Sequence, residues 1–152
     1  NKIKTSKSNR KYFTNRYYKP DIKFLLSNEI KKFANTSIDV SDGLFADLEK
    51  MINNQKLSYL VFLDKIPISK NLKNILKTKK FSKKNYISKG DDYQILFTAS
   101  KSKSKIIQLN ANKLDMSITK IGKVLKNNTK SIVVDQNNAL INIKNKGYFH
   151  NF

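Results

Sequence analysis

The sharpest candidate for chemistry in this 152-residue chain is a short acidic turn. Asp39 and Asp42 lie three residues apart and flank the hydroxyl of Ser41, with Gly43 relaxing the turn. Two carboxylates repel a bare phosphate, but they can bind it through Mg²⁺, which accepts carboxylate and phosphate oxygens together. The backbone N–H groups at the start of the following helix would add donors for the anion.

The same residues also fit a purely structural interpretation. Asp42 or Ser41 can simply cap the helix that follows, as short polar side chains often do. Their spacing alone leaves both interpretations open.

Two further segments could bind a ligand. Asp91 and Asp92 follow Gly90 at the entrance to an apolar strand, where they could hold a ligand or metal or form a solvated turn. The aromatic residues from Tyr148 to Phe152 could anchor the end of the chain in the core or stack a ring on a flat heterocycle.

The rest of the composition narrows the chemistry. The four glycines form neither a GxGxxG nor a GxxxxGK[ST] loop, so a nucleotide site here must use metal and carboxylates. The chain has no Cys and a single His, His150, which excludes disulfides, thiolate metal sites and a His-based triad. No apolar run is long enough for a membrane span and no signal peptide opens the chain, so we expect a cytoplasmic protein without a membrane partner.

The formal charge of +20 could suggest a nucleic-acid partner. Nearly all the cations are lysines, however, and only Arg10 and Arg16 offer the planar fork that makes bidentate contacts. We interpret the charge mainly as a surface background that steers anions toward the chain, and we do not expect nucleic acid as a partner. A basic nucleic-acid or anion-binding module remains the alternative of a different class.

Hydrophobic periodicity predicts the elements that position these segments. An extended aromatic stretch from Tyr12 to Pro20 precedes a helix over Ile22 to Ala34, and a second helix starts near Asp42. The remaining predicted elements are strands at Leu57 to Leu63, Tyr93 to Thr98 and Ile118 to Val124, helices around Leu72 to Leu76 and Ile106 to Leu109, and a hairpin around Gln136 to Asn138. This order predicts an α+β fold, a layered α/β sandwich with a mixed sheet, in one domain.

In order along the chain, these segments resemble the C-terminal domain of thiamine-monophosphate kinases. Ser37 to Leu48 is similar to the family's (A/S)IDVSDGLLADL signature, and Ser88 to Thr98 is similar to its SGGEDYELLFT segment. Thr119 to Val124 resembles a V-IGR(V/I) strand, Gly147 to Phe152 the closing GYDHF, and Tyr17 to Pro20 the (R)YLxP entry to the domain.

The resemblance implies a function and a site. The family transfers the γ-phosphoryl group of ATP to thiamine monophosphate, with several Mg²⁺ ions, and shares its fold with aminoimidazole ribonucleotide synthetase. By resemblance, Asp39 and Asp42 are Mg²⁺ ligands and Ser41 contacts ATP. Asp91 contacts thiamine monophosphate, and Tyr148 or Phe152 packs on its rings. Another ATP-dependent member of the same superfamily is the nearer alternative.

The resemblance also implies missing parts. Residues 1–16 are expected to be a linker or truncated end, and residues 17–152 the C-terminal domain of a longer, homodimeric kinase. The N-terminal ATP and Mg²⁺ domain is then absent, so we expect the chain alone to be inactive. Within the motifs, Asp91 stands where the family has Glu, Lys89 replaces a glycine, and Phe149 replaces an aspartate.

Overall fold

The computed structural model describes residues 5–52, 55–126 and 130–148. Helix α1 (Lys7–Tyr18) begins at Ser6, whose side chain accepts a hydrogen bond from the Asn9 N–H. The prediction of an extended segment from Tyr12 to Pro20 is therefore wrong. Pro20 follows the helix closely, as expected because the residue before a proline disfavours helical geometry. None of the 12 described residues of α1 is buried, so no apolar stripe announces this helix in the sequence.

A two-stranded antiparallel sheet joins distant parts of the chain. Strand β1 (Ala34–Asp39) pairs with β3 (Ile95–Ala99), with Asp39 opposite Ile95. Helix α2 (Phe24–Ile30) stops earlier than the sequence predicts, because the chain turns and enters β1 instead of continuing as a helix to Ala34. The pairing delivers the acidic turn that follows β1 to the segment that precedes β3.

A three-stranded mixed sheet forms the second layer. Strand β2 (Leu57–Phe62) lies in the centre, antiparallel to β4 (Gly122–Lys126) and parallel to β5 (Ile132–Val134). The predicted hairpin follows β5, where Val134 makes an isolated antiparallel bridge with Leu140. Together with helices α3 (Leu44–Ile52), α4 (Lys70–Lys79) and α5 (Ser104–Lys113), this arrangement confirms the α+β class with a mixed sheet.

Two hydrophobic clusters hold these layers. Among the described residues, helix α3 contributes more buried side chains to the larger cluster than any other element, and its fully buried Phe45 stacks on Tyr59 of β2 at 6.2 Å between ring centroids. The smaller cluster joins Leu26, Ile30 and Phe33 to the apolar residues of β3 and α5, with the Phe33 and Phe97 rings 5.4 Å apart. Of the helices in the described ranges, none is long and apolar enough to cross a membrane.

Candidate functional site: two joined acidic turns

The first acidic turn (residues 39–43) and the second acidic turn (residues 90–93) lie side by side and are joined through their backbones. The Val40 N–H donates to the Gln94 carbonyl at 2.8 Å. In the other direction, the Asp91 N–H donates to the Ser41 carbonyl at 2.8 Å and the Tyr93 N–H to the Val40 carbonyl at 2.9 Å. These bonds extend the β1–β3 pairing beyond the strands, so that Asp39, Asp42 and Asp91 belong to one locality although they are distant in sequence.

The third predicted segment joins the same place. The Tyr148 N–H donates to the Asp42 carbonyl at 2.8 Å, and the Ala46 N–H donates to the Lys146 carbonyl at 2.9 Å. The Tyr148 side chain is 66% exposed, so its ring is available to a ligand and does not plug the core. Phe152, the other predicted ring contact, lies outside the described residues.

Glycines permit this close approach of three segments. A Cβ atom on Gly90 would lie 2.0 Å from the Ser41 carbonyl oxygen. A Cβ atom on Gly43 would lie 2.5 Å from the Ser88 carbonyl oxygen, and Gly43 has a φ of +129°, which side-chain-bearing residues rarely adopt. The glycines that interrupt the two motifs are therefore required by the contact between them.

Asp47 is the residue that sequence reasoning missed. It lies in the first turn of α3, is 0% exposed, and its Oδ2 accepts the N–H groups of Ser41, Asp42 and Gly43 at 3.0, 3.0 and 3.1 Å. These three N–H groups, which precede α3, are therefore not available to a phosphate, because the protein's own carboxylate binds them. An acidic residue in the first turn of a helix that reaches back to the preceding backbone is the sequence signal that could have revealed it.

Lys50 links the buried carboxylate to the exposed part of the turn. Its ammonium contacts Asp42 Oδ2 and lies 3.0 Å from Asp47 Oδ1. The hydrogen bond to Asp42, followed by that to Asp47, raises the pKa of Lys50. The Asp42 carboxylate is therefore already matched by a positive charge from the chain itself.

The second acidic turn is built differently. Asp91 and Tyr93 both have left-handed backbone geometry, with φ of 65° and 49°, which is costly for residues with side chains. The Tyr93 hydroxyl donates to Asp91 Oδ1 at 3.3 Å, and the negative charge of Asp91 is the main cause of a raised Tyr93 pKa. The pKa of Asp92 is raised as well, first by desolvation of its carboxyl group and then by Asp91.

Asp39 and Asp42 fit a metal ion that also binds water or phosphate oxygens better than a metal site formed by protein side chains alone. Across residues 5–52, 55–126 and 130–148, no group of three or more His, Cys, Asp or Glu side chains could hold an ion. Asp39 is exposed at the end of β1, and the Asp42 side chain is 17% exposed. Mg²⁺ is commonly held by one or two carboxylates together with water and phosphate oxygens, which matches this pair.

Comparisons with known proteins give a consistent result. No protein-family model matches the chain. The thiamine-monophosphate kinase of Buchnera aphidicola subsp. Acyrthosiphon pisum is 30% identical over 145 residues, which are 93% of this chain and 43% of that protein. The crystal structure of thiamine-monophosphate kinase from Stenotrophomonas maltophilia K279a has a TM-score of 0.74 and 27% identity, and the match covers 86% of this chain and 41% of that one.

A third comparison supports the fold alone. The structure of AaThiL complexed with AMPPCP and TMP has a TM-score of 0.72 at 23% identity and covers 97% of this chain and 44% of its own. The chain thus spans less than half the length of the relatives it matches. The resemblance predicted from the motifs is confirmed: in sequence and in fold, the chain is similar to the C-terminal part of thiamine-monophosphate kinases.

Proposed function

We propose that this chain is part of a kinase that transfers the γ-phosphoryl group of ATP to thiamine monophosphate, which gives thiamine diphosphate and ADP. The observation that carries the proposal is the junction of the two acidic turns and Tyr148 through backbone hydrogen bonds of 2.8 to 2.9 Å. The names of the relatives support it, as does a structural neighbour complexed with AMPPCP and TMP.

In this proposal the first acidic turn binds ATP and its Mg²⁺. Asp39 and Asp42 hold Mg²⁺, which neutralises phosphate charge and orients the transferred group when it is bound. Ser41 contacts ATP through its side chain, since its backbone N–H is bound to Asp47. Asp47 has no contact with either substrate in this proposal, and instead fixes the shape of the turn.

The second acidic turn and Tyr148 bind the acceptor substrate. Asp91 contacts thiamine monophosphate, and the exposed ring of Tyr148 offers a flat apolar face to a heterocycle. Phe152 is proposed for the same role on the basis of the resemblance alone. Such a site works mainly by positioning the two substrates, which is the principal task of a phosphoryl-transfer enzyme.

We also propose that the activity requires the remaining polypeptide of the longer kinases. Large exposed apolar side chains that are close in sequence support this, because Tyr18 and Ile22 are each 75% exposed and Phe24 is 67% exposed. Exposed apolar surface of this kind can be covered by a partner. We assign these residues to contact with the part of the kinase that the chain does not include. From the resemblance we further propose a homodimer of the longer protein and a cytoplasmic location.

The test is an assay of a longer reading frame that encodes this chain. Mg²⁺-dependent conversion of thiamine monophosphate to thiamine diphosphate is expected, and Asp42→Asn should reduce it by at least about a hundredfold, as removal of a phosphoryl-transfer metal ligand would. Asp64→Asn, which removes an exposed carboxylate outside both turns, is the matched control and should leave the rate unchanged. A folded product without turnover would overturn the proposal, and strongly salt-dependent RNA or DNA binding would then favour the nucleic-acid alternative.

A further inference from the structure

We propose that Lys50 is a built-in counter-ion of Asp42 that has to be displaced before a divalent cation can bind there, and that it thereby sets the metal affinity of the first acidic turn. The inference rests on the proposed function, which makes Asp42 a metal ligand. Its own basis is the position of the Lys50 ammonium, in contact with Asp42 Oδ2 and 3.0 Å from Asp47 Oδ1.

The buried Asp47 holds the Lys50 ammonium near Asp42. Lys50 lies one helical turn after Asp47, so the two side chains share a face of α3. Asp47 in turn cannot move away, because it is 0% exposed and its other oxygen holds three backbone N–H groups. The buried Asp47 carboxylate therefore keeps the Lys50 ammonium beside Asp42 without any change in the position of Asp47 itself.

The contact between Lys50 and Asp42, in contrast, can be broken. The Lys50 side chain is 51% exposed, whereas the Asp42 side chain is 17% exposed. An ammonium and a divalent cation cannot both contact the same carboxylate oxygen without strong repulsion at that distance. A flexible lysine can turn toward solvent while it keeps its contact with Asp47, and Asp42 then becomes available to the metal.

A neighbouring lysine separates this role from a general effect of charge. Lys146 also lies beside α3, with its ammonium 2.5 Å from Glu49 Oε1, and its side chain is 45% exposed. Lys146→Met removes the same charge from the same surface, yet it leaves the ammonium on Asp42 in place.

The experiment is a calorimetric titration of the 152-residue chain with Mg²⁺ alone, at constant ionic strength. Lys50→Met should bind Mg²⁺ about three- to fivefold more tightly than the parent, a range that corresponds to the usual strength of a partly exposed ion pair. Lys146→Met should bind as the parent does. Addition of Asp42→Asn to Lys50→Met should abolish the gain.

Broadening of backbone NMR signals by Mn²⁺ locates the metal independently of any catalytic rate. The proposal expects broadening at Ser41, Asp42 and Gly43, stronger in Lys50→Met than in the parent. Lys50→Gln provides a second variant if Lys50→Met does not fold, which the dispersion of the same spectra reports.

The possible failures are distinguishable. Equal Mg²⁺ affinity in the parent and Lys50→Met, with broadening at residues 41–43, would overturn the role of Lys50 and leave the kinase proposal intact. An equal gain in Mg²⁺ affinity in Lys146→Met would mean that loss of any nearby positive charge has this effect, and it would also overturn the specific role of Lys50. If no variant binds Mg²⁺ at this turn, the metal assignment of Asp42 fails and the inference falls with it.

Discussion

The two acidic turns meet through the same set of hydrogen bonds, but they are stabilised in opposite ways. The first is organised around the buried Asp47, which binds three consecutive backbone N–H groups. The second contains two residues with left-handed backbone geometry, Asp91 and Tyr93, and Asp91 is exposed. The first turn is therefore held by a side chain of its own helix, α3, whereas the second turn is held by its hydrogen bonds to the first.

This difference separates two functions of an acidic residue. Asp47 is completely removed from solvent and its hydrogen-bonding capacity is used within the protein, so it serves as framework. Asp39 and Asp91 remain exposed and can meet a ligand. A sequence motif rich in aspartate thus contains both kinds, and only burial and hydrogen bonding distinguish them.

The largest expected effect is from Asp47→Ala. Loss of the buried carboxylate leaves three backbone N–H groups without their acceptor and removes one of the two carboxylates that bind Lys50, so the free energy of unfolding should fall by about 3 to 5 kcal/mol. Urea denaturation measures this loss. Asp47→Asn keeps the shape and one acceptor oxygen, and should lose about half as much.

Asp64→Ala is the control for Asp47→Ala, because Asp64 is an exposed aspartate outside both turns. Its effect should stay within about 0.5 kcal/mol. If Asp47→Ala proved as mild as this control, the internal support of the first turn would have to come from other contacts.

A smaller but still substantial effect is expected from Gly90→Ala. The new methyl group would lie 2.0 Å from the Ser41 carbonyl oxygen, so the two turns must separate. Overpacking of this kind costs about 1 to 3 kcal/mol, measurable by urea denaturation, and should also weaken binding of Mg²⁺. Lys89→Ala changes the adjacent exposed residue and should be nearly neutral, which makes it the matched control. Unchanged stability of Gly90→Ala would mean that the second turn does not depend on the first.

The smallest effect concerns the electrostatics of the second turn. Asp91→Asn removes the charge that is the main cause of the raised Tyr93 pKa, so this pKa should fall toward the ordinary value of about 10. The Asp92 pKa should fall as well, because Asp91 contributes to its increase. Titration of the Tyr93 ring and the Asp92 carboxyl carbon by NMR gives both values.

The sign of the accompanying change in stability follows from linkage. A raised phenol pKa means that the folded chain binds this proton more tightly than the unfolded chain does. Its favourable contribution is complete below about pH 10 and is lost as the pH rises through the folded pKa, so Asp91→Asn should reduce this alkaline loss. A Tyr93 pKa that did not respond to the substitution would place Asp91 farther from the ring than 3.3 Å implies.

The elements with a clear apolar period were predictable from the sequence. The apolar residues of helix α3 form one stripe that packs into the larger cluster, and strand β2 is mostly apolar because it is largely buried. The three segments of the site were also recognisable by their residue types. Their meeting was not, since it depends on the pairing of β1 with β3 across more than fifty residues.

The failures have physical causes as well. Helix α1 has no buried face, so periodicity carries no information about it. Strand β1 alternates between half-buried and exposed residues that are mostly small and polar, and it is a strand only because β3 pairs with it. Asp47 lies within the first motif, but the sequence does not reveal its role, because its burial is a property of the folded core.

The hydrogen bond from Tyr148 to the carbonyl of Asp42 has a consequence for biosynthesis. Translation completes the first acidic turn roughly a hundred residues before its last described contact emerges, and contacts of such long sequence separation form slowly. A nascent chain released early would carry the whole aspartate motif yet lack a segment that holds it in place. The first acidic turn would thus gain this contact only after Tyr148 has been synthesised.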